Sequence, residues 1–378
     1  MRIGIDATAL PPRPVGAGNY IINLIRSLEA QARNDEIVVF AESHGRDLIG
    51  VPPRQGFEWV TVPEMHPAVR LIWEQTIFPG LVRSAKVELL HSLHYTRPVR
   101  LGCASVVTLL DMTFFLYPQL HTRAKRLYFP RIIRMSARRA DAFAAISEST
   151  RKDAIRLLKI PPEKILTTPL GVDRSFHLIE DERLLEEVRH RYDLPEKFVL
   201  YVGLIEPRKN LPLLIRAYRR LTAQETPYDL VLAGRLGWNY NEVLQSIERF
   251  GLRNRVRMPG YIPQGDLPLV YNLASLFIYP TTYEGFGLPV LEAMACGVPI
   301  ITTRVSSLPE IVGKAGELLP ENDEAALLKA MLRLLIDSEL REKRKIAGFE
   351  QAAKFIWERT ARLTLQLYRK AIQISRTP

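Results

Sequence analysis

From Arg2 to Thr302, short apolar runs rich in valine, isoleucine and leucine alternate with stretches of helical periodicity, and this rhythm restricts the fold most. Strands that are each followed by a helix belong to parallel sheets, because a parallel connection needs a crossover of a dozen or more residues. In the first half the expected strands are Arg2–Ala7, Glu36–Phe40, Val87–His91, Ala104–Leu109 and Ala142–Ile146. Helical patterns fall at Asn19–Arg33, Pro67–Arg83, His121–Ala140 and Ser147–Leu158. In the second half Phe198–Val202, Leu230–Ala233, Val256–Met258, Leu276–Tyr279 and Pro299–Thr302 read as strands, separated by helices that include Leu211–Leu221 and Asn239–Phe250.

The chain of 378 residues is long enough for two domains, each with its own core. Pro169-Leu-Gly-Val-Asp173 and the charged stretch to about Glu196 read as the connection between them. The expected fold is therefore α/β, with two Rossmann-like doubly wound parallel-sheet domains, residues 1–176 and 177–356, and a cleft between them. A last helical pattern, Phe355–Ile374, either closes the second domain or, as a helix of about 357–378, packs back onto the first. Open α/β sheets bind ligands beyond the carboxyl ends of their strands, so motifs just after strands carry the most information.

Three such motifs stand out. After the strand ending at Tyr279 comes Glu284-Gly-Phe-Gly-Leu-Pro-Val-Leu-Glu292-Ala-Met-Ala-Cys-Gly297. Gly285 and Gly287 let backbone approach a ligand, and Pro289 suits the first turn of a helix whose amino end is an anion site. Glu292 is expected in or near that first turn, where a carboxylate can accept two bonds from a ribose diol, while Glu284 points at the cleft from another direction. After the strand Phe198–Val202 comes Glu206-Pro-Arg208-Lys209-Asn210. Arg forks onto two phosphate oxygens and Lys adds a point charge, so this pair suits a diphosphate and the charge that grows on it as it leaves. Gly16-Ala-Gly18-Asn-Tyr20 follows the first strand and opens a helix, which suits a loop closing over donor phosphates or acceptor; a plain turn is the alternative. Asp111, just after Ala104–Leu109, can position an acceptor hydroxyl or cap its own loop, and His94 in Leu90-His91-Ser-Leu-His94-Tyr95 can line the same side.

Charge and cysteine content narrow the setting. The formal net charge of +11 is spread over both halves rather than gathered in a tail, and no aromatic–basic reading surface suggests nucleic acid. His121–Ala140 holds seven Arg or Lys and no acid, interleaved with Leu127, Tyr128 and Phe129. Such a stretch can lie on an anionic membrane surface, or be the solvated face of a core helix, and Pro130 is expected to kink or split it. Only Cys103 and Cys296 occur, and the apolar part of Met1–Asp6 is far too short for a signal peptide. With no apolar run of 18 residues, the expected location is cytoplasmic, with any membrane contact peripheral and on the inner face. No Asp-x-Asp pair is present to cradle a metal–diphosphate, so no metal or cofactor is expected.

These residues resemble glycosyltransferase family 4, whose members adopt the GT-B architecture. The resemblance runs from Gly4-Ile5-Asp6-Ala7 and Gly16-Ala-Gly18 through Ala145-Ile-Ser147-Glu-Ser-Thr150 and Thr168–Asp173 to Gly203–Asn210, Ala233-Gly234, Gly260-Tyr261-Ile262 and the spaced acids Glu284 and Glu292. It implies a retaining, metal-independent hexosyl transfer from a GDP- or UDP-sugar to a glycan or lipid-linked acceptor, with GDP-mannose as first choice. It further implies an acceptor-side first domain, a donor-binding second domain, and a role in polysaccharide biosynthesis. Arg208 and Lys209 would bind the donor phosphates and Glu292 the ribose, with Glu284 near the transferred sugar. Gly285, Phe286, Gly287 and Leu288 would complete the sugar and phosphate contacts through their backbone, and residues near Tyr261 would face the base. One departure is Leu110 before Asp111, where many relatives carry histidine. A sugar-nucleotide isomerase or epimerase of the same fold, or a non-catalytic sugar-nucleotide-binding protein, is the alternative.

Overall fold

The computed structural model describes residues 1–32 and 34–376 and divides the chain into two compact units, Met1–Gly171 with Ile356–Pro378, and Val172–Phe355. The first division falls earlier than the 176/177 boundary expected. Of the expected helix ends, Arg33 and residues 377–378 lie outside the described residues.

The first unit is built on a seven-stranded, all-parallel sheet. Its elements are β1 (Arg2–Asp6), α1 (Ala17–Gln31), β2 (Glu36–Ala41), α2 (Ser43–Ile49), β3 (Phe57–Thr61), α3 (Pro67–Thr76), α4 (Phe78–Ser84) and β4 (Leu89–Ser92). After these come β5 (Ala104–Leu109), α5 (Thr113–Leu116), α6 (Arg123–Arg139), β6 (Ala142–Ala145), α7 (Glu148–Leu158) and β7 (Ile165–Thr167). The strand order is β3-β2-β1-β4-β5-β6-β7. Strands β4 to β6 are buried throughout, as a sheet covered on both faces requires.

Two sequence expectations change here. The pattern Pro67–Arg83 is two helices, α3 and α4, with Ile77 between them and Pro79 in the first turn of the second. Trp73 stacks on Phe78 across that break (centroids 5.0 Å), and Phe78 meets Phe40 of β2 edge-on, so packing rewards the turn. Conversely, Pro130 neither splits nor ends α6, which runs through it. Pro130 removes one backbone donor, but Phe129 stacked on Phe114 (4.4 Å), with buried Ile132 and Ile133, holds the helix against the core.

In the second unit, α8 (Glu182–Arg191), β8 (Phe198–Val202), α9 (Leu211–Thr222), β9 (Asp229–Ala233), α10 (Asn241–Arg249) and β10 (Val256–Gly260) come first. They are followed by α11 (Leu267–Leu273), β11 (Leu276–Tyr279), α12 (Leu288–Ala295), β12 (Ile300–Thr303), α13 (Leu308–Val312), β13 (Glu317–Leu319), α14 (Glu324–Ile336) and α15 (Ser338–Ala352). The sheet order is β10-β9-β8-β11-β12-β13, the doubly wound arrangement, again all parallel. The charged stretch expected to serve as connection carries α8 instead. Asp181 caps it by accepting from the N–H groups of Arg183 and Leu184, and it packs on α11 through buried Val188.

The last helix, α16 (Trp357–Arg376), belongs to the first unit and packs on α1, β5 and β6. Its docking is polar as well as apolar. His91 Nδ1 bonds the Tyr368 hydroxyl (2.7 Å), His91 Nε2 bonds Thr108 Oγ1 (2.8 Å), and Tyr20 bonds the same Thr108 oxygen (2.7 Å). Gly171 passes so close to this helix that a Cβ there would sit 2.3 Å from the Trp357 nitrogen.

Candidate functional site

In the second unit consecutive strands run outward from β8 to one edge and from β11 to the other, so the order reverses between these two neighbours. The carboxyl ends of β8 and β11 therefore flank the crevice where a doubly wound sheet takes its ligand. The two strongest motifs follow these two strands.

After β8, Pro207, Arg208 and Lys209 form a single 3-10 turn, and Asn210 closes it in the left-handed region (φ 51°) before α9 begins. After β11, residues 280–287 lead to α12. The two loops are sewn together. The Thr282 N–H donates to the Arg208 carbonyl (2.9 Å), as does Thr281 Oγ1 (3.0 Å), and Arg208 Nη1 donates back to the Tyr283 carbonyl (2.7 Å). The loop after β12 braces them: Ser306 Oγ accepts from the Glu284 N–H, and Ser307 Oγ donates to the carbonyls of Glu284 and Phe286.

This stitching brings half-buried Arg208 together with buried Lys209 and Glu284 in one cluster. Glu284 Oε1 accepts from Lys209 Nζ (2.6 Å), Arg208 Nη1 (2.8 Å) and Thr281 Oγ1 (3.0 Å). Lys209 also donates to the Tyr279 hydroxyl, and Arg208 Nη2 lies 3.0 Å from Glu206 Oε1. Burial by itself would raise the Glu284 carboxyl, but the charges and hydrogen bonds of Arg208 and Lys209 overcome it and hold the carboxyl at about 2. Arg208 is raised well above its ordinary value, since Glu284 and Glu206 outweigh the burial that opposes its charge. Lys209 is lowered by burial and by the adjacent Arg208 charge, against the support of Glu284.

Glu292 is the fifth residue of α12, just past its first turn, within the expected range. Gly287 takes φ 107° and starts the helix at Leu288, with Pro289 in its first turn. A Cβ on Gly287 would come within 2.8 Å of Leu308 Cδ2, so this entry needs glycine. Tyr271 on α11 donates to Glu292 Oε2 (3.1 Å), yet burial dominates and pushes the Glu292 carboxyl up to about 7. Gly285 lies between the braced Glu284 and Phe286, whose ring is buried edge-on against Phe355. Tyr261, just past β10, is partly exposed, with the Arg235 guanidinium 4.5 Å over its ring.

Gly16, Gly18, His94 and Asp111 belong to the first unit. Gly16 precedes α1 with φ 47°, and Gly18 sits in the first turn, where a Cβ would meet Pro14 Cβ at 2.6 Å. Asp111 Oδ1 accepts from both the N–H (2.8 Å) and the hydroxyl (2.7 Å) of Thr113, so this carboxylate caps its own loop through one oxygen. Sequence reasoning passed over Tyr279, Thr281, Tyr271, Ser306 and Ser307. Ser306 and Ser307 follow the end of β12, so the strand-end rule could have found them; Tyr271 and Tyr279 read only as core residues. Among the described residues, no group of three or more His, Cys, Asp or Glu side chains is placed to hold a metal ion.

The family model described as Glycosyltransferase Family 4 matches residues 14–176, and that of Glycosyl transferases group 1 matches residues 185–351. The chain is 32% identical over 375 residues to O-antigen chain mannosyltransferase B of Escherichia coli, covering 94% of this chain and 96% of that protein. A serotype-specific mannosyltransferase of Escherichia coli is 34% identical over 241 residues, which cover 63% of this chain but 30% of that longer protein. Among solved structures, sucrose-phosphate synthase from Thermosynechococcus elongatus superposes with a TM-score of 0.77 at 21% identity, covering 98% of each chain. That likeness shows the fold, the two Rossmann-like units of the GT-B class.

Proposed function

The chain belongs to glycosyltransferase family 4 and is a glycosyltransferase; on that premise we propose that it moves mannose from GDP-mannose onto a glycan or lipid-linked acceptor, with retention and without a metal. The mannosyl choice is supported by the names of the two Escherichia coli relatives. The observation that carries the donor site is the Arg208–Glu284–Lys209 cluster, with Glu284 and Lys209 buried, at the reversal point of the second sheet.

In this reading the donor diphosphate lies against Arg208, Lys209 and the amino end of α12. Two preset cations in a buried setting stabilise the charge that grows on the leaving phosphate without having to reorganise. Glu284, held ionised, braces those cations and accepts from hydroxyls of the transferred sugar. Glu292 takes the ribose diol. Because cations do this work, no metal is required at the diphosphate. Arg208→Ala and Lys209→Ala should each lower kcat/KM by roughly 10²–10³, the loss seen when one preorganised donor is removed. Near-normal turnover of GDP-mannose by both variants would remove the proposal.

Peripheral attachment to an anionic membrane is part of the same reading. It is supported by the seven bases of α6 and by Leu127 on that helix, which is 62% exposed. No helix of the described residues is long and apolar enough to cross a membrane. Vesicles containing phosphatidylglycerol should co-sediment the protein and neutral vesicles should not; equal binding to both would refute it.

A further inference from the structure

The donor chemistry of Arg208, Lys209, Glu284 and Glu292 leaves one buried neighbour of the cluster, Tyr279, without a task. Tyr279 ends β11 and is 1% exposed. Its ring stacks on Tyr201 of β8 (centroids 5.8 Å) and on Phe277 two positions earlier (5.9 Å). A phenylalanine would meet that packing equally. The hydroxyl does more. It accepts from Lys209 Nζ and donates to the Glu284 carboxylate, whose Oε1 also accepts from Lys209 (2.6 Å). Lys209, Tyr279 and Glu284, all buried, thus close a ring of three hydrogen bonds. The tyrosine ring supports the cation as well, with Lys209 Nζ 4.7 Å from its centroid.

We propose that Tyr279 is a positioning residue that aims the Lys209 ammonium at the diphosphate of the donor; this deepens the donor reading and rests on it. An ammonium carries three N–H donors at fixed angles to one another. Glu284 and Tyr279 take two of them, and this sets the direction of the third. Among the described residues no group takes that third N–H, which leaves it for a phosphate oxygen. With Glu284 as its sole acceptor, the ammonium would turn about a single hydrogen bond and would no longer be preset before the diphosphate arrives. The hydroxyl also supports the charge, because a group that accepts from an ammonium favours its protonated form. Lys209 depends on such support: burial and the adjacent Arg208 charge lower it, while Glu284 and Glu206 act the other way. Tyr201 supplies the control. Its hydroxyl, in the same stack, donates to the Leu204 carbonyl (2.8 Å), so removing it leaves both acceptors of Lys209 in place.

The test is calorimetric titration of the full chain with GDP and, separately, UDP at pH 7 and pH 9, on wild type, Tyr279→Phe and Tyr201→Phe. Circular dichroism of each variant keeps the fold in view. With the diphosphate that binds wild type, Tyr279→Phe should bind about tenfold more weakly at pH 7. Its deficit relative to wild type should grow at pH 9, because without the hydroxyl Lys209 loses its charge at a lower pH. Tyr201→Phe should bind as wild type does at both pH values. Equal binding by Tyr279→Phe and wild type overturns the proposal. So does a deficit of the same size at both pH values, or an equal deficit in Tyr201→Phe; either result makes Tyr279 a packing residue alone. Failure of wild type to bind either diphosphate sinks the donor reading itself, so the two failures are distinguishable.

Discussion

Replacing Glu284 by Gln tests whether the buried cluster is held by charge. The substitution keeps the shape but removes the anion that accepts from Lys209, Arg208 and Thr281. Moving a carboxyl from 4.5 to about 2 corresponds to 2.5 units. At about 1.4 kcal/mol per unit that is about 3–4 kcal/mol at neutral pH. Breaking a buried pair by removing one partner costs about 3–5 kcal/mol, which agrees. Glu206 still faces Arg208, and Lys209, already lowered by burial, can shed its proton, so the lower end is expected. Glu284 is depressed, so its contribution is complete above pH 4.5 and is lost as the pH falls towards 2. The gap between wild type and variant should therefore be widest at pH 6–8 and shrink below pH 4.5. Urea unfolding of the full chain, followed by circular dichroism at several pH values, measures it. A variant within about 0.5 kcal/mol of wild type at pH 7, or a gap that does not depend on pH, refutes the charge-based account of the cluster.

Two further outcomes follow from other buried groups. Glu292 titrates near 7 and only its carboxylate can accept two diol protons, so GDP affinity should rise between pH 6 and 8. Glu292→Gln should weaken GDP about tenfold at pH 8 and flatten that dependence in calorimetric titrations; an unchanged profile would count against a ribose role. Burial lowers His91 and His94 to about 3, so each must stay neutral in the folded chain. Their contribution is complete above pH 6.5 and falls by about 1.4 kcal/mol per unit for each below it, and His91→Gln should remove one group's share of that slope in urea midpoints from pH 5 to 7.

Much of the cluster's local geometry was open to sequence reasoning, because a strand end, a proline and a glycine act on their immediate neighbours. The turn at Pro207–Lys209 and the helix entry at Gly287–Pro289 are of this kind. What the side chains then do was not. Arg208 and Lys209 stand about 75 positions from Glu284 in the chain, and nothing local in either motif says that one carboxylate oxygen accepts from both cations. For Asp111, nothing in the sequence said that one carboxylate oxygen would accept from both the N–H and the hydroxyl of Thr113.

The sequence by itself determined the parallel, strand-then-helix architecture, since hydrophobic period and crossover length are properties of short segments. It left out β3, β7 and β13, because an edge or three-residue strand is defined by its neighbour's hydrogen bonds more than by its own composition. It also could not decide that Pro130 stays inside a helix, that α16 joins the first unit, or that Glu284 is ionised while Glu292 is poised near neutrality. Those depend on packing and desolvation, which are sums over atoms brought together from distant parts of the chain and exist only once the sheets have formed.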